Sequence, residues 1–213
     1  MKNANRSAAL AVAAVAVVLF AGGCAPLVVG GAAVGGALVA TDRRSVGIQV
    51  EDEAIERRIN RALAEKFPRD RANISVASYN RRVLLTGEVA NEQGKLEAQA
   101  IAEKSENVAG VLNELHVGSL STLSNRNYDT ALSAKVRAAL LEAKGVPSAT
   151  IKIVSERSVV YLMGRLTQAE GDAAARAASR VSGVRQVVKY FDYLSEQEAV
   201  QLKATPPSEG QRK

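Results

Sequence analysis

The stretch DEAIERRINRALAEKFPRDRANISVASYNRRVLLTGEV at residues 52–89 returns in altered form as DTALSAKVRAALLEAKGVPSATIKIVSERSVVYLMGRL at residues 129–166. A shift of 77 positions aligns the two stretches without a gap, and it matches Leu85 with Leu162. After a gap of one residue the match continues towards the end of each copy. An internal period of this length with so few gaps indicates two copies of one domain.

Each copy predicts the same order of elements. Apolar residues recur at helical spacing after Asp52 and Asp129, which we expect to cap or charge the first turn of a helix. Two alternating apolar pairs around a polar segment then predict a hairpin. An Ala-rich helix follows and ends at Asn107 or Gly183, residue types that accept the left-handed conformation, and a last alternating strand completes the copy. The sequence therefore predicts an α+β fold with two tandem αββαβ domains, each with its own small core.

Cys24 is the only cysteine of the chain, and an apolar run that follows Lys2 and Arg6 leads up to it. A basic start, a short hydrophobic segment and small residues before a lone cysteine are typical of a bacterial secretory signal that ends in a lipid-modified cysteine. We therefore predict lipidation at Cys24. Ala25 follows the cysteine, and bacterial lipoproteins without Asp at this position are normally passed on to the outer membrane. The resemblance to such lipoproteins therefore implies the periplasmic face of that membrane. The alternative is a buried free thiol.

The remaining segments give the domain organisation. Residues 25–40 are apolar but contain Pro26 and four glycines, which favours a flexible spacer near the lipid surface over a short membrane-associated helix. The predicted segments are a signal peptide (1–23), a lipidated N-terminus with spacer (24–50), a first domain (51–118), a linker (119–128), a second domain (129–195) and a polar C-terminal tail (196–213).

The double αββαβ pattern, with a Gly after the hairpin and a Gly-Val pair before the last strand, resembles the BON-domain family. Residues 40–50 (ATDRRSVGIQV), 161–164 (YLMG) and 178–184 (ASRVSGV) are similar to outer-membrane lipoproteins of this family that carry two such domains. Asn107 replaces the usual Gly in the first copy. The resemblance implies binding of phospholipid, support of outer-membrane integrity and envelope stress resistance, and no catalysis.

The first helix of the second copy carries a candidate lipid-binding face. At about 100° per residue, Leu132, Val136 and Leu140 share the core stripe, and Leu141 lies about 180° from Leu132. An exposed Leu among cations and small residues suits anionic headgroups. The predicted lipid-binding residues are Ala134, Arg137, Ala138, Leu141 and Lys144. Two alternatives stay open: an ordinary solvated face, or a face that packs against the other domain.

Enzymatic functions are not expected. His116 is the only histidine, and we expect its side chain on the solvent face of a strand. Without a second Cys or His, the sequence predicts no catalytic residues, no metal site and no cofactor. The absence of Trp and the few aromatic residues argue against nucleic acid as a partner.

Two non-enzymatic functions remain. In the first, the protein binds an anionic phospholipid membrane. The formal net charge of +6 falls to about +4 when Lys2 and Arg6 leave with the signal peptide, and an excess of this size suits an anionic surface. In the second, it is a periplasmic adaptor that docks on outer-membrane assembly proteins, division-associated envelope proteins or regulators of cell-wall hydrolases.

Overall fold

The structure is a computed structural model that describes residues 42–68 and 70–204. The predicted signal peptide, Cys24, most of the predicted spacer and residues 205–213 lie outside the described residues. The described part of the chain belongs to one compact unit. No helix within it is long and apolar enough to cross a membrane.

The first domain, called domain 1 below, has a sheet with strand β2 at its centre. Strand β1 pairs with β2 in antiparallel fashion, and β3 and β4 pair with β2 in parallel. The last strand of the predicted pattern is thus divided into two short pieces. The elements in chain order are α1 (Val46–Lys66), β1 (Asn73–Tyr79), β2 (Arg82–Val89), α2 (Glu92–Glu103), β3 (Gly110–Asn113) and β4 (His116–Val117).

The second domain, domain 2, repeats this topology with a continuous last strand. Strand β6 is central, with β5 antiparallel on one side and β7 parallel on the other. The elements are α3 (Leu123–Glu142), a 3₁₀ turn (Ser148–Thr150), β5 (Ile151–Glu156), β6 (Val159–Leu166), α4 (Gln168–Ser179), β7 (Gln186–Tyr193) and α5 (Glu196–Ala204). The α+β fold with two αββαβ units is confirmed. Helix α5 occupies the start of the segment predicted as a polar tail.

The first helix of each domain begins earlier than its apolar pattern indicated. Ser45 caps α1 by accepting a hydrogen bond from the backbone N–H of Ile48, and Thr122 caps α3 in the same way. Both caps lie in segments predicted as spacer and linker. The prediction that Asp52 and Asp129 cap these helices is therefore wrong, because each lies one to two turns inside its helix.

These two aspartates hold the hairpin turns instead. The carboxylate of Asp52 accepts hydrogen bonds from the backbone N–H groups of Asn80 (2.8 Å) and Arg81 (2.7 Å). Both turn residues have positive φ, 50° and 63°, as a two-residue type I′ turn requires. Neither is a glycine, so a buried acceptor offsets the cost of this backbone. In domain 2 the equivalent residues are Asp129, Arg157 and Ser158, with hydrogen bonds of 2.9 Å.

The buried residues form three clusters, one more than predicted. One cluster lies between the helices and sheet of domain 1 and another occupies the same place in domain 2. The third lies between the two sheets, which pack face to face through residues of both domains. Its buried members are Ala77, Tyr79, Leu84, Val159, Tyr161 and Met163. The expectation of two cores is thus right as far as it goes, but the domains also share an apolar contact.

Polar contacts surround this shared cluster. Lys152 of domain 2 donates to Glu56 of domain 1 at 2.5 Å. Asn80 of domain 1 donates to Asp192 of domain 2 at 2.7 Å. An apolar centre with a polar rim is the usual composition of a specific protein interface.

Candidate functional site

Helix α3 presents one buried and one open face. Leu132, Val136 and Leu140 are buried in the core of domain 2. The five residues predicted for lipid binding are all exposed, and Leu141 keeps 67% of its surface accessible. A Leu this open contributes little to the fold, so its chemistry is available to a partner.

The neighbours of Leu141 on the exposed face include small residues that leave its side chain uncovered. Ala138 lies one turn and Ala134 two turns before it on the exposed face, and neither can cover its side chain. Arg137 precedes it by four positions, the spacing at which helical side chains are neighbours. Lys144 is exposed in the turn just beyond the helix, because α3 ends at Glu142.

Domain 1 comes close to this face at Arg137. Arg137 lines a cleft of about 300 Å³ together with residues of domain 1, among them Glu53 and Glu56. The alternative in which the face packs against domain 1 is therefore wrong for Leu141, which remains exposed.

Charge is unequally divided between the domains. Residues 128–195 contain ten Lys and Arg against six Asp and Glu, whereas residues 51–119 contain ten against twelve. A cationic domain that carries an exposed Leu between two bases has the composition of a surface that contacts anionic lipid.

His116 is exposed on β4, as predicted. Among residues 42–68 and 70–204, no group of three His, Cys, Asp or Glu side chains could hold a metal ion.

Sequence reasoning missed the role of the charged segment 42–44. Arg43 is only 7% exposed, and its guanidinium donates to both carboxylate oxygens of Glu170 at 2.5 and 2.7 Å. Arg44 stacks over the ring of Tyr79, 3.9 Å from its centroid. The segment thus joins domain 2 to the start of domain 1. Its sequence is part of the motif at residues 40–50, but nothing in that motif specified a contact 127 residues away.

Comparisons with known proteins agree with this architecture. The family model described as BON domain matches residues 51–119 and 128–195. The chain is 39% identical to outer membrane lipoprotein DolP of Haemophilus influenzae, over 83% of this chain and 91% of the relative. It is 32% identical to a 21 kDa hemolysin of Actinobacillus pleuropneumoniae, over 72% of this chain and 79% of the relative. It is also 32% identical to osmotically-inducible protein Y of Escherichia coli, over 71% of this chain and 77% of the relative.

Proposed function

This chain belongs to the BON-domain family, and on that premise we propose that it is a non-enzymatic lipoprotein of the cell envelope whose second domain binds anionic phospholipid. Acyl chains on Cys24 would hold it at the periplasmic face of the outer membrane. Its role would be to support outer-membrane integrity and resistance to envelope stress.

Two observations support the anchor and the location. The sequence before Cys24 has the order of a lipoprotein signal. A relative that matches over 91% of its own length is named an outer membrane lipoprotein. Because one acyl chain gives only reversible binding and two give durable anchoring, a doubly acylated Cys24 would retain the protein without a spanning helix.

The exposure of Leu141 between Arg137 and Lys144 carries the proposal of lipid binding. Each base near an anionic surface contributes about 1 kcal/mol of attraction. Partial insertion of a Leu side chain adds a hydrophobic contribution, up to about 1.5–3 kcal/mol when the side chain is fully buried. Domain 1 has Arg57, Asn60 and Ala64 at the corresponding positions, so it lacks the apolar tip.

The experiment is vesicle co-sedimentation with the chain from residue 24 that carries Cys24→Ser, so that acylation does not contribute. We expect binding to vesicles with phosphatidylglycerol, a steep loss of binding as salt increases, and little binding to phosphatidylcholine alone. Leu141→Glu should weaken binding about tenfold or more, since 1.4 kcal/mol corresponds to a factor of ten.

Ala64→Glu is the matched control, because Ala64 is the equivalent exposed position in domain 1. It adds the same charge but should weaken binding much less. Equal binding by the unchanged protein and a folded Leu141→Glu variant would reject this surface as the lipid site.

One observation favours the adaptor as a second candidate. Leu96 of α2 is 62% exposed. Glu92 lies four residues before it and Glu103 seven residues after it, so both are on the same side of the helix. An anionic membrane would repel these carboxylates, whereas a basic protein surface would attract them. Leu96→Glu should leave vesicle binding unchanged and reduce co-purification of an envelope protein.

A further inference from the structure

Carboxylates meet at one end of the contact between the two sheets. Glu88 of β2 is completely buried there. It accepts hydrogen bonds from the amide of Asn73 (3.2 Å) and the hydroxyl of Ser121, and Arg157 of domain 2 lies 3.6 Å away. Burial by itself would raise the pKa of Glu88, but these donors outweigh it and lower that pKa below its ordinary value. Glu88 is therefore held ionised in the interface.

Glu156 faces the same region from domain 2. On β5, strand alternation places it with Lys152 and Val154 on the side that faces domain 1. Its Oε1 atom is buried and has no hydrogen-bond partner among the described residues. A second ionised carboxylate near Glu88 without a donor would be costly to keep in this position.

Charged and titratable groups from every neighbouring element surround Glu156. Burial is the main cause that raises the pKa of Glu156, to about 7, and the charges of Glu88 and Asp129 add to it. Arg157 and Arg126 oppose this shift. The cleft around the side chain is also lined, in chain order, by Lys95, Glu114, His116, Tyr161 and Arg185.

We propose that docking of the two domains is linked to a proton on Glu156. The neutral carboxyl fits between the sheets beside ionised Glu88, and its ionisation weakens the contact. The linkage is independent of lipid binding by α3, because neither carboxylate lies on the exposed face of that helix.

The direction of the effect follows from the two carboxyls. An acid whose pKa is raised by docking binds its proton more tightly in the docked state, so docking is strongest at low pH. The ratio of separated to docked domains then increases as the pH rises from the ordinary value of 4.5 through about 7. Among the groups that lower the pKa of Glu88, Arg157 is the one that belongs to domain 2, so its share of the shift is linked to docking. This share acts oppositely to Glu156, and the attraction to Arg157 is lost when the pH falls below the ordinary range of Glu88. Docking should therefore be tightest under mildly acidic conditions.

Linkage allows the ratio of separated to docked domains to change by up to about tenfold per pH unit between pH 4.5 and about pH 7. Asp129 belongs to the same domain as Glu156, so its share of the shift persists after separation. Glu156 is also only partly buried, and water screens its charge. We expect the ratio to change on the order of tenfold between pH 5.5 and pH 8.

The experiment measures distances between spin labels at Lys104→Cys in domain 1 and Arg180→Cys in domain 2, in the chain from residue 24 with Cys24→Ser. Both positions are exposed. At pH 5.5 we expect one narrow distance distribution. At pH 8 we expect a second, broader population increased about tenfold, and Glu156→Gln should keep the narrow distribution at both pH values.

Glu142→Gln is the matched control, because Glu142 is an exposed acid on α3, and it should behave as the unchanged protein does. The carboxyl carbon shift of Glu156, followed by NMR in the unchanged protein, should titrate near pH 7. A titration midpoint near 4.5 would overturn the proposal, and so would a distance distribution that does not change with pH. A Glu156→Gln variant that still responds to pH would overturn it as well.

Discussion

Two adjacent residues of β6 distinguish the core of domain 2 from the contact between the domains. Leu162 and Met163 are both completely buried. They point to opposite faces of the strand, so Leu162 belongs to the core of domain 2 and Met163 to the cluster between the sheets. Leu162→Ala and Met163→Ala therefore remove similar side chains from two different contacts.

Each truncation should cost about 2–5 kcal/mol, the usual range for a buried Leu or Met replaced by Ala. The two truncations weaken different equilibria, namely the folding of domain 2 and the docking of the two domains. Leu162 remains buried in domain 2 whether or not domain 1 is docked, so its truncation lowers the free energy of unfolding of domain 2. Met163 is buried only when the sheets are in contact. Its truncation should therefore lower the free energy of docking, which stabilises both domains equally.

Native-state hydrogen exchange, followed residue by residue, measures the two domains separately. For Met163→Ala we expect the protection of core amides in β2 and in β6 to fall by the same amount. For Leu162→Ala we expect the protection to fall in β6 and to change little in β2. If Met163→Ala reduces protection in domain 2 alone, the shared cluster does not couple the domains, and the reasoning is refuted.

Two further predictions concern the anchor and the hairpin of domain 1. Cys24→Ala should abolish incorporation of a palmitate analogue, because the chain has no other cysteine; label retained by this variant would contradict lipidation at Cys24. Gly87→Ala should lower the free energy of unfolding by about 3 kcal/mol or more in a denaturant titration, because Gly87 has a φ of 108° and a Cβ there would collide with the backbone oxygen of Asn73. Gly145→Ala is the control: its φ is 75° but the space around it is open, so roughly 1 kcal/mol is expected, and equal losses at both sites would contradict the collision.

The elements that could be predicted from the sequence depend on local patterns. Helical and strand periodicity identified the core stripe of α3 and the open position of Leu141, because both follow from the angle between successive residues. The turn residues Asn80 and Arg81 carried no such signal. Asn80 is of a type that accepts a positive φ, but Arg81 is not, and the carboxylate that stabilises the turn lies 28 residues before Asn80 in the chain.

The sequence contained a signal for the contact between the sheets, but the interpretation of the strands as alternating concealed it. Residues 159–163 read VVYLM, a continuous apolar run, and such runs are typical of strands buried on both faces. Reading Val160 and Leu162 as the inward residues left Tyr161 and Met163 without a role. Glu88 and Glu156, the charged members of the interface, gave no apolar signal at all.

The internal repeat itself distinguishes the two kinds of burial. Three positions of β2 have the same residue at the equivalent positions of β6, with Val83 matched to Val160, Leu85 to Leu162 and Gly87 to Gly164. Positions on the opposite face of the two sheets differ. The pairs are Leu84 with Tyr161, Thr86 with Met163 and Glu88 with Arg165 on β2 and β6, and Tyr79 with Glu156 on β1 and β5. A face that packs against a different surface in each copy needs different side chains, whereas a core built twice does not. Because Glu88 and Glu156 are among the positions that differ, the pair of carboxylates is a property of the docked domains and of neither domain alone.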